Sequence, residues 1–317
     1  MSTSTPLTRL SAKDFLSVLD LSPVEFDQLL ALAAELKALR RRGAPSPRPL
    51  EGRHVALLFE KPSLRTRVTF VIAVRELGGE VIEPPPDVVF GGRESVEDVA
   101  RNLERWVAGA VVRTFAQADL TRFAKAGSRM HVVNALTDEE HPCQALADVM
   151  TLAERFGSLP GLRVAYVGDG NNVAASLAHA GSLAGLRMTF ASPKGYELPA
   201  SVVEACARVA RHGSTITLTN DPLEAVSGVD AVYTDVWASM GQEDQADTRA
   251  RIFEPFRVDA GLMAAAAPQA VFMHCLPAHR GIEVTDEVMD SPQAVVFDQA
   301  ENRLHAQKAL LAMLMAP

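Results

Sequence analysis

The chain has 317 residues, of which 48% are apolar, and a formal net charge of −8 from 31 Lys and Arg against 39 Asp and Glu. This length exceeds one ordinary domain and supplies apolar material for two cores of about 150 residues each. An acidic chain without a long basic run is a poor partner for a nucleic-acid duplex, although one or two arginines can still bind a small phosphate.

The sequence also predicts where the protein works. Its apolar stretches are interrupted by charge, Pro or Gly before they reach roughly 18 residues, which argues against a membrane span. The N-terminus lacks the apolar core of a secretory signal. Cys143, Cys206 and Cys275 are odd in number and widely spaced, as expected of reduced thiols. We therefore expect a cytoplasmic protein.

The first predicted element is an amphipathic helix. Ser22 is placed as its N-cap, Pro23 takes the first helical position, and Glu25 completes a capping box. Phe26 and Leu29 fall on one face of this helix, which indicates packing against a core.

Strands and helices then alternate along the chain. The run HVALLFE predicts a buried strand that leads into a helix at Ser63. QALADVMTLAERFG, stopped by Gly157, predicts a helix that bridges two lobes. Helical stretches such as NVAASLAHAGSLAG separate the later predicted strands, which are RVAYVGDG, RMTFASP, STITLTN, AVYTDVW, AVFMHCL and AVVFDQ. This alternation predicts a doubly wound parallel sheet.

The first candidate binding residues follow the strand HVALLFE, because ligands of open parallel sheets bind beyond the carboxyl ends of strands. Here Ser63 caps a helix whose first backbone amides and nearby arginines would favour phosphate. Arg65 and Arg67 point to different sides of that helix, and we select Arg65 because it is nearer the end. A capped helix with solvated arginines would account for the same residues.

A second candidate group opens the bridging helix. Pro142 starts this helix and leaves His141 and Gln144 beside its first amides. Since a helix N-terminus opposes positive charge, a neutral His that donates to a carbonyl oxygen is reasonable there. A helix cap and a surface His would explain the same pattern.

The turn GDGNN after RVAYV contains Asn172, whose amide can both donate and accept, as the charged ends of an amino acid require. The alternative is an Asn that is simply tolerated in a turn. The segment lacks the GxGxxG pattern of dinucleotide sites, so a nicotinamide cofactor is not expected.

The remaining candidates lie at later strand ends. Asp235 ends a strand before a Ser-Met-Gly loop, which indicates either a carboxylate for an ammonium group or a solvated loop. Cys275 follows another strand, where a buried Cys is usually an apolar filler. No zinc-ligand spacing is evident among the His and Cys residues, so no metal is expected. Arg303 could reach an anion or pair with Glu301.

The order and spacing of these motifs resemble those of the ornithine carbamoyltransferases. The resemblance rests on FEKPSLRTR, Arg113 in VVRTF, HPCQ, GDGNN, DVWASMG, HCLPA and ENRLHAQKA, and covers nearly the whole chain. It implies an α/β fold of two doubly wound parallel-sheet domains joined by helices, with the C-terminal helix returning to the N-terminal domain. The expected ranges are 1–147 for a carbamoyl phosphate-binding domain, 148–300 for an ornithine-binding domain and 301–317 for the C-terminal helix.

The family resemblance also implies a function. It implies transfer of the carbamoyl group of carbamoyl phosphate to the side-chain amine of L-ornithine, giving L-citrulline and phosphate, in arginine biosynthesis or catabolism. It implies no cofactor, and a homotrimer or a multiple of trimers with active sites at subunit boundaries. Nucleic acid and membrane are not expected partners.

Residue roles follow from the same resemblance. It implies a carbamoyl phosphate site of Ser63, Leu64, Arg65, Thr66, Arg113, His141, Gln144, Cys275, Leu276 and Arg303. It implies an ornithine site of Asn172, Asp235, Ser239 and Met240. The implied catalytic residues are Arg113, His141, Asp235 and Cys275, of which Asp235 and Cys275 would orient the δ-amine and help it lose its proton.

Two positions depart from the family pattern. Leu64 stands where the family usually has Thr, so one hydroxyl is lost from the phosphate site and we expect weaker binding. Val89 lies about where the family often has a Gln that reaches the neighbouring subunit's site, and Val cannot form that hydrogen bond.

Other substrates and other functions are alternatives to this expectation. Acetylornithine, succinylornithine, putrescine or aspartate could replace ornithine, but the DVWASMG loop favours a free α-amino acid. HCLPA has no Arg directly after its Pro to bind a second carboxylate, which argues against aspartate, although Arg280 follows nearby. A non-catalytic carbamoyl phosphate-binding paralogue is suggested by Leu64 and Val89, and a dehydrogenase fails on the missing glycine pattern.

Overall fold

The computed structural model describes residues 8–86, 92–238 and 243–316. The chain forms two compact units. The first unit comprises Met1–Leu146 and Asn302–Pro317, and the second comprises Ala147–Glu301. Among the described residues, no helix is both long and apolar enough to cross a bilayer.

The first unit contains a parallel sheet. Its strands are β1 (His54–Phe59), β2 (Glu80–Ile82), β3 (Gly109–Arg113) and β4 (His131–Leu136). They lie in the order β2-β1-β3-β4, and each neighbouring pair is parallel. After its first residue β1 is buried throughout, as expected of a parallel strand covered on both faces. The strand order reverses between β1 and β3, so the crevice beyond these two strands is where a ligand is expected.

Helices follow most of these strands. They are α1 (Pro23–Arg41), α2 (Leu64–Glu76), α3 (Val96–Leu103), α4 (Gln117–Ala126) and α5 (Pro142–Phe156), the last of which continues into the second unit. The predicted capping box of α1 is confirmed, since Ser22 and Glu25 each bond the other's backbone N–H. Burial would raise the pKa of Glu25, but hydrogen bonds from Ser22 and Ser11 lower it to about 2.

The second unit contains another parallel sheet. Its strands are β5 (Arg163–Val167), β6 (Arg187–Ala191), β7 (Thr215–Thr219), β8 (Ala231–Thr234) and β9 (Val271–His274). They lie in the order β7-β6-β5-β8-β9, and each neighbouring pair is parallel. The order reverses between β5 and β8, which places a second expected ligand crevice beyond the carboxyl ends of these strands.

The helices of the second unit are α6 (Asn172–Ala184), α7 (Ala200–Val209), α8 (Pro222–Val226), α9 (Ala246–Phe253), α10 (Ala260–Ala264) and α11 (Asp286–Met289). The helix α12 (Val296–Leu314) begins in the second unit, and its later part, from Asn302, belongs to the first unit. The predicted fold of two parallel-sheet α/β domains with a returning C-terminal helix is therefore confirmed.

One strand prediction is wrong. The run AVVFDQ was expected to form a strand, and the last helix was expected to begin near Glu301, but α12 already begins at Val296. Ala294 forms only an isolated bridge to Phe272. A short apolar run is compatible with both a buried strand and a helical turn. Here most of the run belongs to a helix of nineteen residues, because the residues that follow it are also helical.

Candidate active site

The turn after β1 forms a capped helix N-terminus. Ser63 is extended, with φ −160° and ψ 111°, and its hydroxyl accepts the N–H of Thr66 at 3.3 Å. The other first-turn amides of a helix have no acceptor within it, and together with the helix dipole they attract anions. The side chain of Leu64 is 75% exposed, so at this turn the residue offers its backbone N–H rather than a side-chain contact.

The two arginines of this turn are in different surroundings. Nε of Arg67 lies 3.2 Å from Oε2 of Glu83, and its guanidinium lies 5.7 Å from the ring centre of Phe59. Arg65 is half-buried on the same helix. The ion pair made by Arg67 agrees with the selection of Arg65 as the phosphate ligand, which remains a prediction.

Thr66 is joined to the C-terminal helix. Its side chain is buried, and Oγ1 accepts a hydrogen bond of 2.5 Å from Nη2 of Arg303. Arg303 itself is buried, although it is 237 residues away in sequence. The structure thus brings together two predicted ligands whose proximity no local pattern could show.

Arg113 and His141 lie at two further strand ends of the first unit. Arg113 is the last residue of β3, paired in register with Phe59 of β1. His141 precedes α5, and both residues are buried, as is Gln144 one turn into α5. Burial, together with the positive charges of Arg303 and Arg113, holds the pKa of His141 well below its usual range. The imidazole is therefore neutral at pH 7, and its role as a hydrogen-bond donor to a carbonyl oxygen remains a prediction.

The turn after β5 has a geometry that requires glycine. Gly168 has φ +146°, and a Cβ on Gly170 would lie 2.5 Å from the backbone of Glu197 and Leu198. Asn171 caps α6, with its side-chain oxygen Oδ1 accepting hydrogen bonds from the backbone N–H groups of Val173 and Ala174. The GDGNN segment therefore forms a tight strand-to-helix turn.

Asn171 is a functional candidate that the sequence analysis missed. Its amide nitrogen donates to Oδ2 of Asp235 at 2.9 Å. The predicted ligand Asn172 is instead the half-buried first residue of α6. An Asn directly before an apolar helical run is typical of an N-cap, and that signal could have identified Asn171.

Asp235 and Cys275 are brought into direct contact. They follow β8 and β9, whose last residues Thr234 and His274 are paired in register. Sγ of Cys275 donates to Oδ1 of Asp235 at 2.9 Å. With the bond from Asn171, each carboxylate oxygen of Asp235 accepts one hydrogen bond, so the carboxylate is held in a fixed orientation.

The turn after β9 is held by a buried histidine. Leu276 has φ +59°, and its backbone N–H donates to Nδ1 of His274 at 2.9 Å. Because Nδ1 accepts, the ring proton is on Nε2, which lies 3.1 Å from Oε1 of Glu283. His274 therefore orients the backbone at Leu276, one residue beyond Cys275.

Asp235, His274 and Cys275 also form a group of possible metal ligands, with ligand atoms all within 4.8 Å of one another. Each of these side chains already makes a hydrogen bond: the thiol to the carboxylate, the carboxylate to Asn171, and the imidazole to Leu276 and Glu283. A metal would have to displace these bonds, and the expectation of no metal remains a prediction.

The segment after β8 is anchored by a second missed pair. Nη1 of Arg249 lies 2.8 Å from Oδ2 of Asp169 and also donates to the carbonyl of Trp237 at 2.8 Å. Burial raises the pKa of Asp169, and Arg249 opposes this shift. The predicted ornithine ligands Ser239 and Met240 lie outside the described residues, as does Val89.

The sequence matches two family models. Residues 13–154 match the carbamoyl-P binding domain of aspartate/ornithine carbamoyltransferases, and residues 160–314 match their Asp/Orn binding domain. The chain is 52% identical to an ornithine carbamoyltransferase of Parafrankia sp. (strain EAN1pec), over 96% of this chain and 97% of that protein. It is 48% identical to one of Symbiobacterium thermophilum, over 98% and 100%.

Solved structures show the same similarity. An ornithine carbamoyltransferase from Pyrococcus furiosus is 45% identical with a TM-score of 0.92, over 98% of this chain and 99% of that one. The ornithine carbamoyltransferase from Thermus thermophilus is also 45% identical, with a TM-score of 0.86 over 96% and 99%.

Proposed function

Because this chain belongs to the aspartate/ornithine carbamoyltransferase family, we propose that it transfers the carbamoyl group of carbamoyl phosphate to the δ-amine of L-ornithine, giving L-citrulline and phosphate. The observation that carries the proposal is the buried cationic group of the first unit, in which burial and the charges of Arg303 and Arg113 lower the pKa of His141 and keep it neutral. Buried positive charges beside a capped helix N-terminus suit a small dianion.

In the first unit, the phosphate is bound by the N-terminus of α2. Ser63 contributes its hydroxyl and backbone amide, Thr66 contributes its hydroxyl, Leu64 contributes its amide, and Arg65 adds a guanidinium that can form two parallel hydrogen bonds. These donors stabilise the negative charge that grows on phosphate as it leaves, which makes it a better leaving group. Loss of the usual hydroxyl at Leu64 weakens binding but leaves the backbone donor in place.

The carbamoyl end is bound by Arg113, His141 and Gln144, with Arg303 completing the cationic surroundings. Negative charge builds on the carbonyl oxygen when an amine attacks the carbamoyl carbon. Donors that are already in position stabilise that charge without reorganisation, and they act more strongly in a buried site than in water. A neutral His141 serves this purpose because it donates without adding a third positive charge beside two arginines.

In the second unit, ornithine is bound by Asp235, with Asn172, Ser239 and Met240 in the roles that the family pattern gives them. The Asp235 carboxylate attracts the δ-ammonium, and Cys275 and Asn171 hold that carboxylate in orientation. The backbone of Cys275 and Leu276 serves the carbamoyl group, and the turn held by His274 orients it.

The reaction needs an uncharged amine, because only the nitrogen lone pair can attack. Asp235 and Cys275 orient the amine and assist loss of its proton. The new C–N bond forms as the bond from the carbamoyl carbon to the phosphate oxygen breaks. The departing phosphate takes up the further proton that the nitrogen gives up in becoming the neutral ureido group of citrulline. The proposal requires neither a cofactor nor a metal.

The proposal extends to assembly and location. The family pattern supports a homotrimer, or a multiple of trimers, in the cytoplasm, and a role in arginine biosynthesis or catabolism. Light scattering of the purified protein tests the oligomeric state, and a particle with the mass of a single chain would contradict the trimer. Cell fractionation tests the cytoplasmic location.

A steady-state citrulline assay tests the function. Wild type is expected to form citrulline from carbamoyl phosphate and L-ornithine, and Arg65→Ala is expected to lower kcat/KM for carbamoyl phosphate by about 100-fold or more. Arg67→Ala is the matched control, because this arginine of the same helix is engaged by Glu83. Equal losses in the two variants would remove the assigned role of Arg65.

The substrate panel tests the rival assignments. N-acetylornithine, N-succinylornithine, putrescine and aspartate are compared with ornithine under the same conditions. Equal or faster turnover of any of them would overturn the assignment of free ornithine. Tight binding of carbamoyl phosphate without turnover of any amine would instead indicate a non-catalytic paralogue.

A further inference from the structure

Lys61 is a buried cation that the proposed chemistry does not use. It lies between β1 and the phosphate-binding turn at Ser63, and its side chain is only 4% exposed. Nζ lies 2.6 Å from Oδ1 of Asp138 and 4.1 Å from the ring centre of Phe115. Burying an ammonium group is unfavourable unless such partners compensate for lost hydration, so this arrangement calls for an explanation.

The two partners of Lys61 lie on the turns that carry the other candidate ligands. Phe115 is two residues beyond Arg113, at the end of β3. Asp138 is three residues before His141, after the end of β4. Because β1, β3 and β4 are adjacent in the sheet, Lys61 connects the carboxyl ends of three neighbouring strands.

Other bonds make these turns a connected group. The N–H of Asp138 donates to the carbonyl of Phe115 at 2.8 Å. Glu60, next to Lys61, accepts a hydrogen bond from the hydroxyl of Thr114, next to Arg113. A change at Lys61 is therefore transmitted to both Arg113 and Ser63 over one or two residues of chain.

We propose that Lys61 is a positioning residue for the carbamoyl phosphate site. Its ammonium ties the turns that bear Ser63, Arg113 and His141, so that their donors stay in place for the phosphate and the carbonyl oxygen. Preformed donors lose effect steeply when displaced, and a shift of about 1 Å can reduce a rate about 100-fold. The inference rests on the proposed function of the first unit.

The test is Lys61→Met, which keeps the length of the side chain and removes the charge. We expect the KM for carbamoyl phosphate and the inhibition constant of inorganic phosphate each to rise 10- to 100-fold, and the two rises to agree to within about a factor of three. The KM for ornithine should be unchanged. Lys61→Arg, which retains the charge, is expected to restore most of the loss.

Lys13→Met is the matched control for stability. Lys13 also lies in the first unit and donates to three carbonyls, those of Ala124, Gly127 and Met130, away from the candidate ligands. It is expected to lower Tm without changing the KM for carbamoyl phosphate. If Lys61→Met behaves in the same way, with lower Tm and unchanged KM, the inference is overturned.

Asp138→Asn keeps the test decisive if Lys61→Met does not fold. The Asp138 side chain is 58% exposed, so this substitution is expected to be tolerated in the fold. It should raise the KM for carbamoyl phosphate in the same direction, and adding it to a folded Lys61→Met should produce little further change, because both remove one interaction. An unchanged KM in Asp138→Asn would contradict the inference.

Failure of this inference is distinguishable from failure of the proposed function. If wild type forms no citrulline, the function is wrong, but calorimetry with inorganic phosphate still compares wild type with Lys61→Met. If wild type forms citrulline and the variant binds phosphate equally well, only the positioning role of Lys61 is rejected.

Discussion

In the first unit, the buried candidate ligands are cationic: Arg113 ends β3, and Arg303 donates to Thr66 in the first turn of the capped helix α2. In the second unit, the residues beyond β5, β8 and β9 offer an amide, a carboxylate and a thiol, those of Asn171, Asp235 and Cys275. Both groups lie where the strand order of a parallel sheet reverses. The architecture therefore provides the place for a ligand in each unit, and the side chains decide which charge that ligand carries.

The two groups also differ in how their charge is held. In the first unit, burial and the positive charges of Arg303 and Arg113 lower the pKa of His141. In the second, hydrogen bonds from neutral donors orient the carboxylate of Asp235. The first arrangement suits a doubly charged phosphoester, and the second suits a single ammonium group. Substitutions on each side should therefore affect the two substrates separately.

The largest expected effect is that of Arg113→Met. This change removes a preformed donor to the carbonyl oxygen, and we expect kcat to fall about 100- to 1,000-fold. The KM for ornithine should stay within about threefold, since the donor acts on the other substrate. Steady-state kinetics with circular dichroism as a folding check measures both. A large rise in the KM for ornithine would break the separation between the two units.

A somewhat smaller effect is expected from Asp235→Asn. The amide can still accept one hydrogen bond but no longer attracts an ammonium, so kcat/KM for ornithine should fall about 100-fold, in line with about 1.5–3 kcal/mol for a hydrogen bond to a charged group. Binding of inorganic phosphate, measured by calorimetry, should remain unchanged. Weaker phosphate binding in this variant would show that the two charge groups do not act independently.

The smallest expected effect concerns the pH dependence of stability in the first unit. The depressed pKa of His141 means that below its ordinary value of 6.5 the unfolded chain takes up a proton that the folded chain does not. The free energy of unfolding should therefore fall as pH drops through 6.5, by about 1 kcal/mol at pH 5.5 from this residue alone.

His141→Gln, which cannot protonate, isolates that contribution. Urea unfolding at pH 7.5 and 5.5 should show a smaller loss of stability in the variant than in wild type. Identical losses would mean that His141 is not held neutral in the folded protein. That result would weaken the contrast between a charged first unit and a hydrogen-bonded second unit.

Much of the fold was predictable because its signals are local. The capping box at Ser22 and Glu25, the buried run of β1 and the Gly157 stop are each read from a few neighbouring residues, and each is confirmed. AVVFDQ was predicted wrongly because six apolar and polar residues fit a strand end and a first helical turn equally well. Only the residues that follow it decide between them.

The sequence alone determined the order of strands and helices, the chemical type of the residues at strand ends, and the family. It could not show which strand ends meet. Cys275 contacts Asp235 because β9 lies beside β8, and Arg303 reaches Thr66 across 237 residues because α12 returns to the first unit. Lys61 and Arg249 had no local signal strong enough to mark them, and the N-cap signal at Asn171 could not reveal its bond to Asp235. These roles depend on partners that only the packing of the sheet and helices brings within hydrogen-bond distance.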